Sequence, residues 1–370
     1  MKVKKFLKIV LCVVLALVLV AGGYLAYVFL DYYRLPDHLE LEVSYNAETD
    51  RARGMPLVTN EPYSVVSWNI GFGAYEDDYG FFMDGGTQSW AWSKERLLAN
   101  LDSICEWLAE GSDFKLVQEI DTDATRSYHV DEWAILSDAL TNNHGWPMPY
   151  SVFAQNYDSP FLFYPLAQPH GASKAGVGTF SAYEITSALR RSLPIETGFT
   201  KFLDLDRCYS VSRVPVNGGG ELVLYNLHLS AYSSDGTIAT EQLRMLLEDM
   251  QGEYENGNWC VAGGDFNKDL LGDSAAYFGA SDIEYTWAQP IPPETFDGVD
   301  IRLVAPLDEE NPVPSCRNAD GPYHAGQYVL TVDGFLVSPN VEAAEAKVID
   351  TGFKYSDHNP VEMTFTLQGS

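Results

Sequence analysis

The chain has 370 residues, of which 52 are Asp or Glu and 23 are Lys or Arg, so its formal net charge is −29 at pH 7. Its content of 46% hydrophobic and 13% aromatic residues excludes a disordered chain, and its five cysteines are too few for a disulfide-rich scaffold. The acidic charge disfavours nucleic acid as a partner, because nucleic-acid binders use Lys and Arg against the phosphate backbone.

The first thirty residues predict a membrane segment. Residues 1–8 contain four lysines, whereas residues 9–30 carry no charge. As a helix, residues 9–30 would span about 33 Å, enough for the ~30 Å hydrocarbon core of a bilayer. A cleaved signal peptide usually has a shorter apolar region, although the small residues Ala21, Gly22 and Gly23 leave cleavage as an alternative. Because lysines favour the inner side of the membrane, we predict a cytoplasmic basic segment at 1–8, a single-pass signal anchor in the cell membrane at 9–30 and an extracellular remainder.

Residues 31–61 mix charges and prolines without an apolar period, and we interpret them as a juxtamembrane linker to a domain at 62–370. In that domain, short runs rich in β-branched and aromatic residues, flanked by Gly, Asp or Asn, are typical of strands. These runs are 63–70, 114–120, 221–229, 259–267, 328–337 and 361–367.

Two segments have helical periodicity. Ser93 is a suitable N-cap for a helix whose apolar residues follow at three- and four-residue steps, namely Leu97, Leu101, Ile104, Cys105 and Leu108. A second helix is predicted from about Thr237 to Tyr254. Strands and helices are interspersed, which predicts a mixed α/β fold. Residues 121–212 are aromatic and rich in Pro and Gly, and apart from a helix near 131–141 we interpret them as long surface loops.

Several predicted strands end in a carboxylate, amide or imidazole side chain. The residues at or next to these ends are Asn69, Glu119, His228, Asp265, Asn267, Asp333, Asp357 and His358. Polar groups at the ends of buried strands are costly unless they are hydrogen-bonded or hold a ligand, and strand ends are where α/β proteins assemble sites. Each residue alone is compatible with a turn or a cap. Together they predict one site that lacks a serine or lysine nucleophile.

The motifs that contain these residues resemble a known superfamily. In chain order they are SWNI, LVQEI, NLHLS, GGDFN, TVDGFLVS and YSDHNPV. This series resembles the endonuclease/exonuclease/phosphatase superfamily over roughly residues 62–368. The resemblance implies a four-layer α/β sandwich, in which two packed mixed β-sheets are flanked by helices, here preceded by the transmembrane helix. It also implies hydrolysis of phosphate esters with a divalent metal, usually Mg²⁺, with Mn²⁺ or Ca²⁺ as alternatives.

The resemblance implies a role for each matched residue. Glu119 matches the metal-binding glutamate, Asp357 a second carboxylate on the metal side, and Asn69 an asparagine that helps to hold the metal region. Asp265 matches the aspartate that orients or deprotonates the attacking water, and Asn267 matches its phosphate-contacting partner.

Three further matches complete the catalytic set. His228 matches a histidine that contacts the scissile phosphate, while Asp333 and His358 match an Asp–His pair. Outside the motifs, Arg213 and Arg317 are candidate substrate-binding residues, because guanidinium groups bind phosphate in a forked geometry. Surface ion pairing is at least as plausible for both arginines.

These residue types suit the implied chemistry. Hydrolysis of a phosphodiester needs positive charge near the phosphate oxygens and a base for the attacking water. Hard oxygen ligands such as carboxylates suit Mg²⁺, which stabilises developing charge. A histidine held by an aspartate can carry a proton or act as a cationic clamp.

We predict a membrane-anchored, outward-facing, magnesium-dependent hydrolase of phosphodiesters. The acidic surface and the anchor favour a small or lipid-borne phosphate ester as substrate. An extracellular nuclease is an alternative that would need a local basic groove. A catalytically silent surface-binding module is another alternative, which the complete set of matched residues disfavours. No protein partner is inferred.

Overall fold

The computed structural model describes residues 2–49, 55–143, 145–195, 206–231, 237–279 and 288–369. The α-helices are α1 Lys2–Asp31, α2 Lys94–Leu108, α3 Glu132–Thr141, α4 Thr237–Glu255 and α5 Ser274–Phe278. The strands are β1 Leu39–Leu41, β2 Val43–Tyr45, β3 Pro62–Asn69, β4 Phe114–Ala124, β5 Tyr150–Leu162, β6 Gly171–Ser181, β7 Ser187–Ser192, β8 Cys208–Pro215, β9 Glu221–His228, β10 Trp259–Asp265, β11 Arg302–Val304, β12 Cys316–Arg317, β13 Val329–Leu330, β14 Asp333–Val337, β15 Val341–Val348 and β16 Val361–Leu367. Short 3-10 helices lie at Gly71–Gly73, Phe82–Asp84, Thr125–Ser127 and Pro293–Phe296.

Two mixed seven-stranded sheets form the centre of the described part of the chain. The first has the order β15-β16-β3-β4-β6-β5-β2, and the second has the order β1-β7-β8-β9-β10-β14-β11. Their inner faces pack together through apolar side chains, among them Val65 and Leu116 of the first sheet and Leu224, Val261 and Phe335 of the second. Burial of these faces removes apolar surface from water and drives formation of the sandwich.

Helices cover the outer faces of both sheets. α2 and α3 pack on the first sheet, where Leu101 and Leu136 share a buried cluster with Val117. α4 packs on the second sheet, where Leu243 lies in a buried cluster with Ala262. The order helix, sheet, sheet, helix is the four-layer α/β sandwich that the family resemblance implies.

A polar bridge crosses the apolar interior between the sheets. The side-chain amide of Gln118 in β4 donates to the side-chain oxygen of Asn226 in β9 at 2.8 Å. Asn226 in turn donates to the carbonyl oxygen of Gly178 in β6 at 2.8 Å. Buried polar groups specify one arrangement of a core when they are hydrogen-bonded in this way. The bridge therefore fixes how β9 lies across β4 and β6.

The predicted strands and helices are found, with small shifts at their ends. Ser93 caps α2, because its hydroxyl oxygen accepts a hydrogen bond from the N–H of Arg96 at 3.2 Å. The strand predicted at 328–337 is interrupted, since β13 pairs with β12 and only β14 joins the second sheet.

The prediction of long loops at 121–212 is wrong over most of this range. β5 and β6 form a long antiparallel hairpin, and β6 also pairs with β4. Glycines inside β6 produce the loop-like composition, but at Gly176 a Cβ would lie 2.4 Å from the carbonyl oxygen of Ala154. Glycine within a strand often marks such a close approach of two backbones. Residues 196–205 lie outside the described residues.

Part of the segment interpreted as a linker at 31–61 belongs to the folded domain. β1 pairs with β7 and β2 pairs with β5, so each adds an edge strand to one of the sheets. Leu57 is buried, and its N–H donates to the carbonyl oxygen of Pro215 at 2.8 Å. Strands of three residues are too short to show an alternating pattern, which explains the difference. Residues 50–54 lie outside the described part.

α1 leaves most of its apolar surface uncovered. From Val3 to Asp31 it is long enough and apolar enough to cross a membrane, and none of its most apolar window is buried in the protein. A signal sequence near an N-terminus has the same properties. α1 therefore has the length and composition of a membrane span or of a signal sequence.

Candidate active site

The topology brings five of the sequence-predicted residues to one edge of the sandwich. In the second sheet, Asp265 at the end of β10 pairs with His228 of β9 on one side and with Asp333 of β14 on the other. In the first sheet, β3 runs parallel to β4, and Asn69 pairs with the residue that precedes Glu119. Because parallel strands run in the same direction, the last residues of β3, β9 and β10 lie at one edge, where they meet Glu119 of β4 in one cleft.

Asn69 connects the two sheets at this edge. Its side-chain nitrogen donates to Oε1 of Glu119 at 3.1 Å and to Oδ2 of Asp265 at 3.0 Å. Its side-chain oxygen accepts the N–H of Gly71 at 3.0 Å. These contacts hold two carboxylates that would otherwise repel each other. Asn69 thereby fixes the position of Glu119 relative to Asp265.

A β-bulge directs Glu119 into the cleft. The pairing of β4 with β6 changes register between Val117 and Ile120. Glu119 has a φ of +55°, in the left-handed region. Bulges re-aim side chains, and strained backbone at a non-glycine residue is concentrated at functional sites. Glu119 lines the same cleft as Asp265 and Asp357.

Asp333 and His358 form a buried pair. Nδ1 of His358 donates to Oδ2 of Asp333 at 2.8 Å, and the same oxygen accepts the hydroxyl of Ser315 at 2.7 Å. The other ring nitrogen, Nε2, lies 3.8 Å from Oδ2 of Asp265. Burial by itself lowers the pKa of His358, but the negative charge of Asp333 and of other neighbouring groups outweighs burial and raises this pKa well above its usual value. The pair therefore favours a protonated His358.

Asp265 lies between the two histidines. Its Oδ2 is 3.5 Å from Nε2 of His228, and its Oδ1 accepts the N–H of Asn267 at 2.8 Å. Burial is the main cause that raises the pKa of Asp265 to about 7; the charge of His358 opposes this shift and that of Asp333 adds to it. A carboxylate with a pKa near neutrality can accept and release a proton at neutral pH.

His228 is held in its neutral form. Burial, followed by the positive charge of Arg207, lowers the pKa of His228 well below its usual value. Its Nδ1 has no hydrogen-bond partner among the described residues. A neutral imidazole at this place can donate a hydrogen bond to an oxygen of a substrate without adding charge.

Asn267 follows Asp265 in a tight turn with a φ of +49°. Its side-chain amide donates to the carbonyl oxygen of Leu229 at 2.8 Å, which ties the GGDFN turn to the end of β9. The turn also depends on Gly264, where a Cβ would lie 2.0 Å from the carbonyl oxygen of Leu227. Only glycine permits this approach of β10 to β9.

The donor set of the cleft fits a hard divalent cation. Burial is the main cause that raises the pKa of Asp357 to about 6, and the negative charge of Glu119 contributes to the same shift. Two carboxylates in one buried cleft destabilise each other's charged form, and a cation between them removes this cost. Carboxylate oxygens are the protein ligands that Mg²⁺ prefers.

A second group of potential ligands lies beside the first. Asp265, Asp333 and His358 offer ligand atoms within 4.8 Å of one another. Asp333 and His358 are already joined by their 2.8 Å hydrogen bond, and a metal between them would have to replace it. We therefore expect the cation on the side of Glu119 and the Asp–His pair to remain a proton carrier.

Arg317 and Arg213, both proposed from the sequence to bind substrate, lie in different places. Arg317 lines the cleft, but its two terminal nitrogens donate to the carbonyl oxygens of Asn318, Gly321, Glu76 and Tyr79 at 2.9–3.4 Å. Arg213 does not line the cleft; it pairs with Glu221 at 2.8 Å and with Glu253 on the outer face of the second sheet. The structure therefore gives no support to a substrate-binding role for Arg213 at this cleft.

We expect one variant to test turnover and the other to test stability. Arg213→Met should leave phosphodiester turnover unchanged, because its ion pairs lie away from the cleft. Arg317→Met should lower the free energy of unfolding by about 3 kcal/mol, since buried carbonyl oxygens lose their donors. Urea unfolding and turnover of both variants check this. A loss of turnover in folded Arg213→Met would contradict the assignment.

The walls of the cleft include residues that sequence reasoning did not single out. They are Arg126, Asn156, Tyr157, His170 and Arg207. All five lie in 121–212, where the strands were not recognised, and none belongs to a motif. Asn156 is buried, and its side-chain nitrogen has no partner among the described residues. A buried, unsatisfied donor at a cleft wall is a signal that only the structure provides.

With the fold and the cleft defined, the sequence places the chain in a family. It matches the Endonuclease/Exonuclease/phosphatase family over residues 66–358 and belongs to it. Members of this family are phosphoesterase hydrolases that generally use a divalent metal. No curated protein is significantly similar in sequence to this chain.

Solved structures share the fold at low sequence identity. An endonuclease/exonuclease/phosphatase from Beutenbergia cavernae DSM 12333 is 18% identical with a TM-score of 0.55, and the match covers 84% of this chain and 72% of that one. A family protein from Leptotrichia buccalis C-1013-b is 14% identical with a TM-score of 0.52, covering 82% and 99%. ANGEL2, a 2′,3′-cyclic phosphatase in complex with adenosine-2′,3′-vanadate, is 15% identical with a TM-score of 0.52, covering 90% and 99%.

Proposed function

We propose that this protein is a divalent-metal-dependent phosphodiesterase that acts outside the membrane on a small or lipid-borne phosphate ester. The observation that carries the proposal is the pair of hydrogen bonds from Asn69 to Glu119 and Asp265, at 3.1 and 3.0 Å. These two bonds hold Glu119 of the first sheet, on the metal side, next to Asp265 of the second sheet, on the side of the attacking water.

One residue of the cleft acts on the attacking water, and three others contact the phosphate. Asp265 accepts a hydrogen bond from the attacking water, aligns it and receives its proton. His358, protonated and oriented by Asp333, donates from Nε2 to a phosphate oxygen and opposes its negative charge. His228 and Asn267, on the other side of Asp265, orient the phosphate by neutral contacts. No covalent intermediate with the protein is needed.

Glu119 and Asp357 are the residues that would hold the cation. Bound Mg²⁺ would supply positive charge to the phosphate oxygens and to the leaving oxygen. Asn69 keeps Glu119 oriented towards it.

The N-terminal segment supports an extracellular location. α1 has the length of a membrane span, and its four lysines at residues 1–8 precede its uncharged stretch, so the positive-inside rule favours a catalytic domain outside the membrane. The net charge of −29 repels long polyanions, which favours a small or lipid-borne ester over nucleic acid. The described cleft contains all eight matched motif residues or contacts to them, which argues against a silent binding module.

We expect the full-length protein in detergent to hydrolyse bis-p-nitrophenyl phosphate with Mg²⁺, to stop after treatment with EDTA and to recover when Mg²⁺ is restored. Glu119→Gln should raise the Mg²⁺ concentration for half-maximal turnover by about 10- to 100-fold, because it loses a charged ligand. Glu253→Gln is the matched control, since Glu253 pairs with Arg213 outside the cleft.

Absence of turnover with every divalent metal tested would contradict the phosphodiesterase and favour a binding module. An unchanged Mg²⁺ requirement in folded Glu119→Gln would contradict only the assignment of the metal ligand. Nicking of plasmid DNA at low salt would favour the nuclease alternative.

A further inference from the structure

The tip of the β5–β6 hairpin has an unusual composition. Residues 161–167 read Phe-Leu-Phe-Tyr-Pro-Leu-Ala, and residues 159–173 contain no Asp, Glu, Lys or Arg. Outside α1, Leu166 and Tyr164 have the largest exposed fractions among the large hydrophobic side chains of the described residues, 86% and 71%. Hairpin tips normally carry polar turn residues, and an exposed run of apolar residues marks an interaction surface.

The hairpin tip contacts the last turns of α1. The hydroxyl of Tyr24 donates to the carbonyl oxygen of Phe161 at 3.1 Å, and the N–H of Phe161 donates to the hydroxyl oxygen of Tyr27 at 3.0 Å. The rings of Tyr24 and Phe163 also lie 4.8 Å apart. These contacts fix the tip at the level of α1 that holds the two tyrosines.

If α1 spans a bilayer, the turns that hold Tyr24 and Tyr27 lie at its outer interface. Tyr24 and Tyr27 lie in the last two turns of the uncharged stretch 9–30, and tyrosine is enriched where a span leaves the hydrocarbon. A loop cannot lie within the hydrocarbon itself, because its backbone polar groups would be unsatisfied. The hairpin tip is therefore at the right depth for the headgroup region.

The same tip continues to the cleft. The pairing of β5 with β6 continues to Leu162 and Gly171, past the end of β4 at Ala124, on the side of the sheet towards which β4 runs from Glu119. The ring of Tyr164 lies 5.9 Å from that of Phe82, whose neighbour Met83 lines the cleft and is 52% exposed. The N–H of His170, which also lines the cleft, donates to the carbonyl oxygen of Tyr164 at 3.1 Å. An apolar surface thus connects the hairpin tip to the mouth of the cleft.

We propose that residues 161–167 rest in the outer leaflet of the bilayer that α1 spans, and that the cleft takes its phosphodiester from a zwitterionic lipid headgroup in that leaflet. This inference rests on the proposed phosphodiesterase and names its substrate class. Leaving out the four lysines of residues 1–8, 19 basic and 52 acidic residues remain, a formal charge of −33. Such a domain is repelled by anionic lipids, so apolar burial holds the tip at the surface.

The reaction on this substrate is a hydrolysis with a simple balance. Water adds to phosphorus, and one phosphorus–oxygen ester bond breaks. The water proton passes to Asp265, the leaving oxygen departs as an alcohol after it takes a proton from solvent, and Asp265 returns its proton to solvent. The products are a phosphate monoester and an alcohol, and no oxidant or reductant is required.

The first test measures the depth of the hairpin tip without measuring hydrolysis. The full-length protein with Cys12→Ala is placed in phosphatidylcholine nanodiscs, and Leu166→Cys is labelled with an environment-sensitive fluorophore. The four remaining cysteines are buried, so the label is selective. Spin-labelled lipid should quench this label, while iodide in solution should not.

Met55→Cys provides the matched control. Met55 is 64% exposed and lies two residues before Leu57. Leu57 forms a β-bridge with Val216 in the turn between β8 and β9. This turn precedes β9, whereas His228 ends it, so Met55 lies far from the cleft. Its label should be quenched by iodide and not by spin-labelled lipid. If the Leu166 label behaves like the Met55 label, the membrane-facing tip is refuted, whereas the phosphodiesterase is unaffected.

The second test compares two substrates. Turnover is measured on phosphatidylcholine and phosphatidylethanolamine in nanodiscs and on soluble bis-p-nitrophenyl phosphate. We expect Leu166→Asn to lower the ratio of lipid to soluble turnover by about tenfold, because the variant loses the free energy gained when one leucine side chain is buried in the bilayer. Met55→Asn should leave this ratio unchanged. A wild-type protein that hydrolyses only the soluble ester, or an unchanged ratio in Leu166→Asn, overturns the lipid proposal alone. Absence of turnover on both substrates overturns the proposed function as well.

Discussion

Asp265→Asn is expected to lower kcat/KM for bis-p-nitrophenyl phosphate by about 10³-fold, because it removes both the base and part of the preorganised field around the water. The change is nearly isosteric and keeps the oxygen that accepts the N–H of Asn267 at 2.8 Å. Its effect should therefore fall on kcat rather than on folding. Steady-state kinetics at saturating Mg²⁺, together with thermal unfolding, measures both properties.

Asp113→Asn is the matched control for this variant. Asp113 is a largely buried carboxylate that accepts the N–H and the hydroxyl of Ser64 at 2.8 and 3.1 Å. It lies just before β4, at the end of the first sheet opposite Glu119. Its turnover should equal that of the wild type. Turnover of Asp265→Asn within about threefold of the wild type would rule out a role for Asp265 in activating water.

His358→Ala is expected to reduce turnover by about 10³-fold, and Asp333→Asn by a smaller factor, since Asp333 touches the ring of His358 and acts mainly by orienting it. The hydrogen bond of 2.8 Å from Nδ1 of His358 to Asp333 is the basis of this order. In the double variant, turnover should be no lower than in His358→Ala alone. Losses that multiply in the double variant would show that Asp333 acts independently of His358.

The chain offers a second Asp–His pair as a control. Nδ1 of His129 lies 2.6 Å from Oδ1 of Asp123, and both side chains are exposed outside the cleft. His129→Ala and Asp123→Asn should leave turnover unchanged. The comparison separates the chemistry of the buried pair from a general effect of removing a histidine.

Much of the site could be predicted from sequence because its residues follow recognisable strands. Asn69, His228 and Asp265 each close a short apolar run, and a shared sheet edge is the physical consequence of parallel strand order. The mixed α/β class followed from the same runs together with two amphipathic helices, whereas the four-layer sandwich followed from the family resemblance. The family resemblance supplied the roles, which composition and spacing alone do not give.

Other features could not be read from the chain. The bulge at Glu119 depends on its partner β6, whose glycines hide its strand character. Arg213 and Arg317 look alike in sequence, yet one forms surface ion pairs and the other supports loops, because long-range contacts decide where a guanidinium group lies. The orphaned nitrogen of Asn156 and the apolar hairpin tip become meaningful only when their neighbours are known.

The amide bridge between the sheets has a consequence for catalysis. Gln118 and Asn226 lie one residue before Glu119 and two residues before His228, and their hydrogen bond sets the lateral offset of the strands that carry them. A displacement of about 1 Å can cost roughly 10²-fold in rate. Two interior amides outside the lining of the cleft thus hold the two halves of the proposed catalytic centre in register, and we expect a substitution that breaks their hydrogen bond to lower turnover by displacing one half relative to the other.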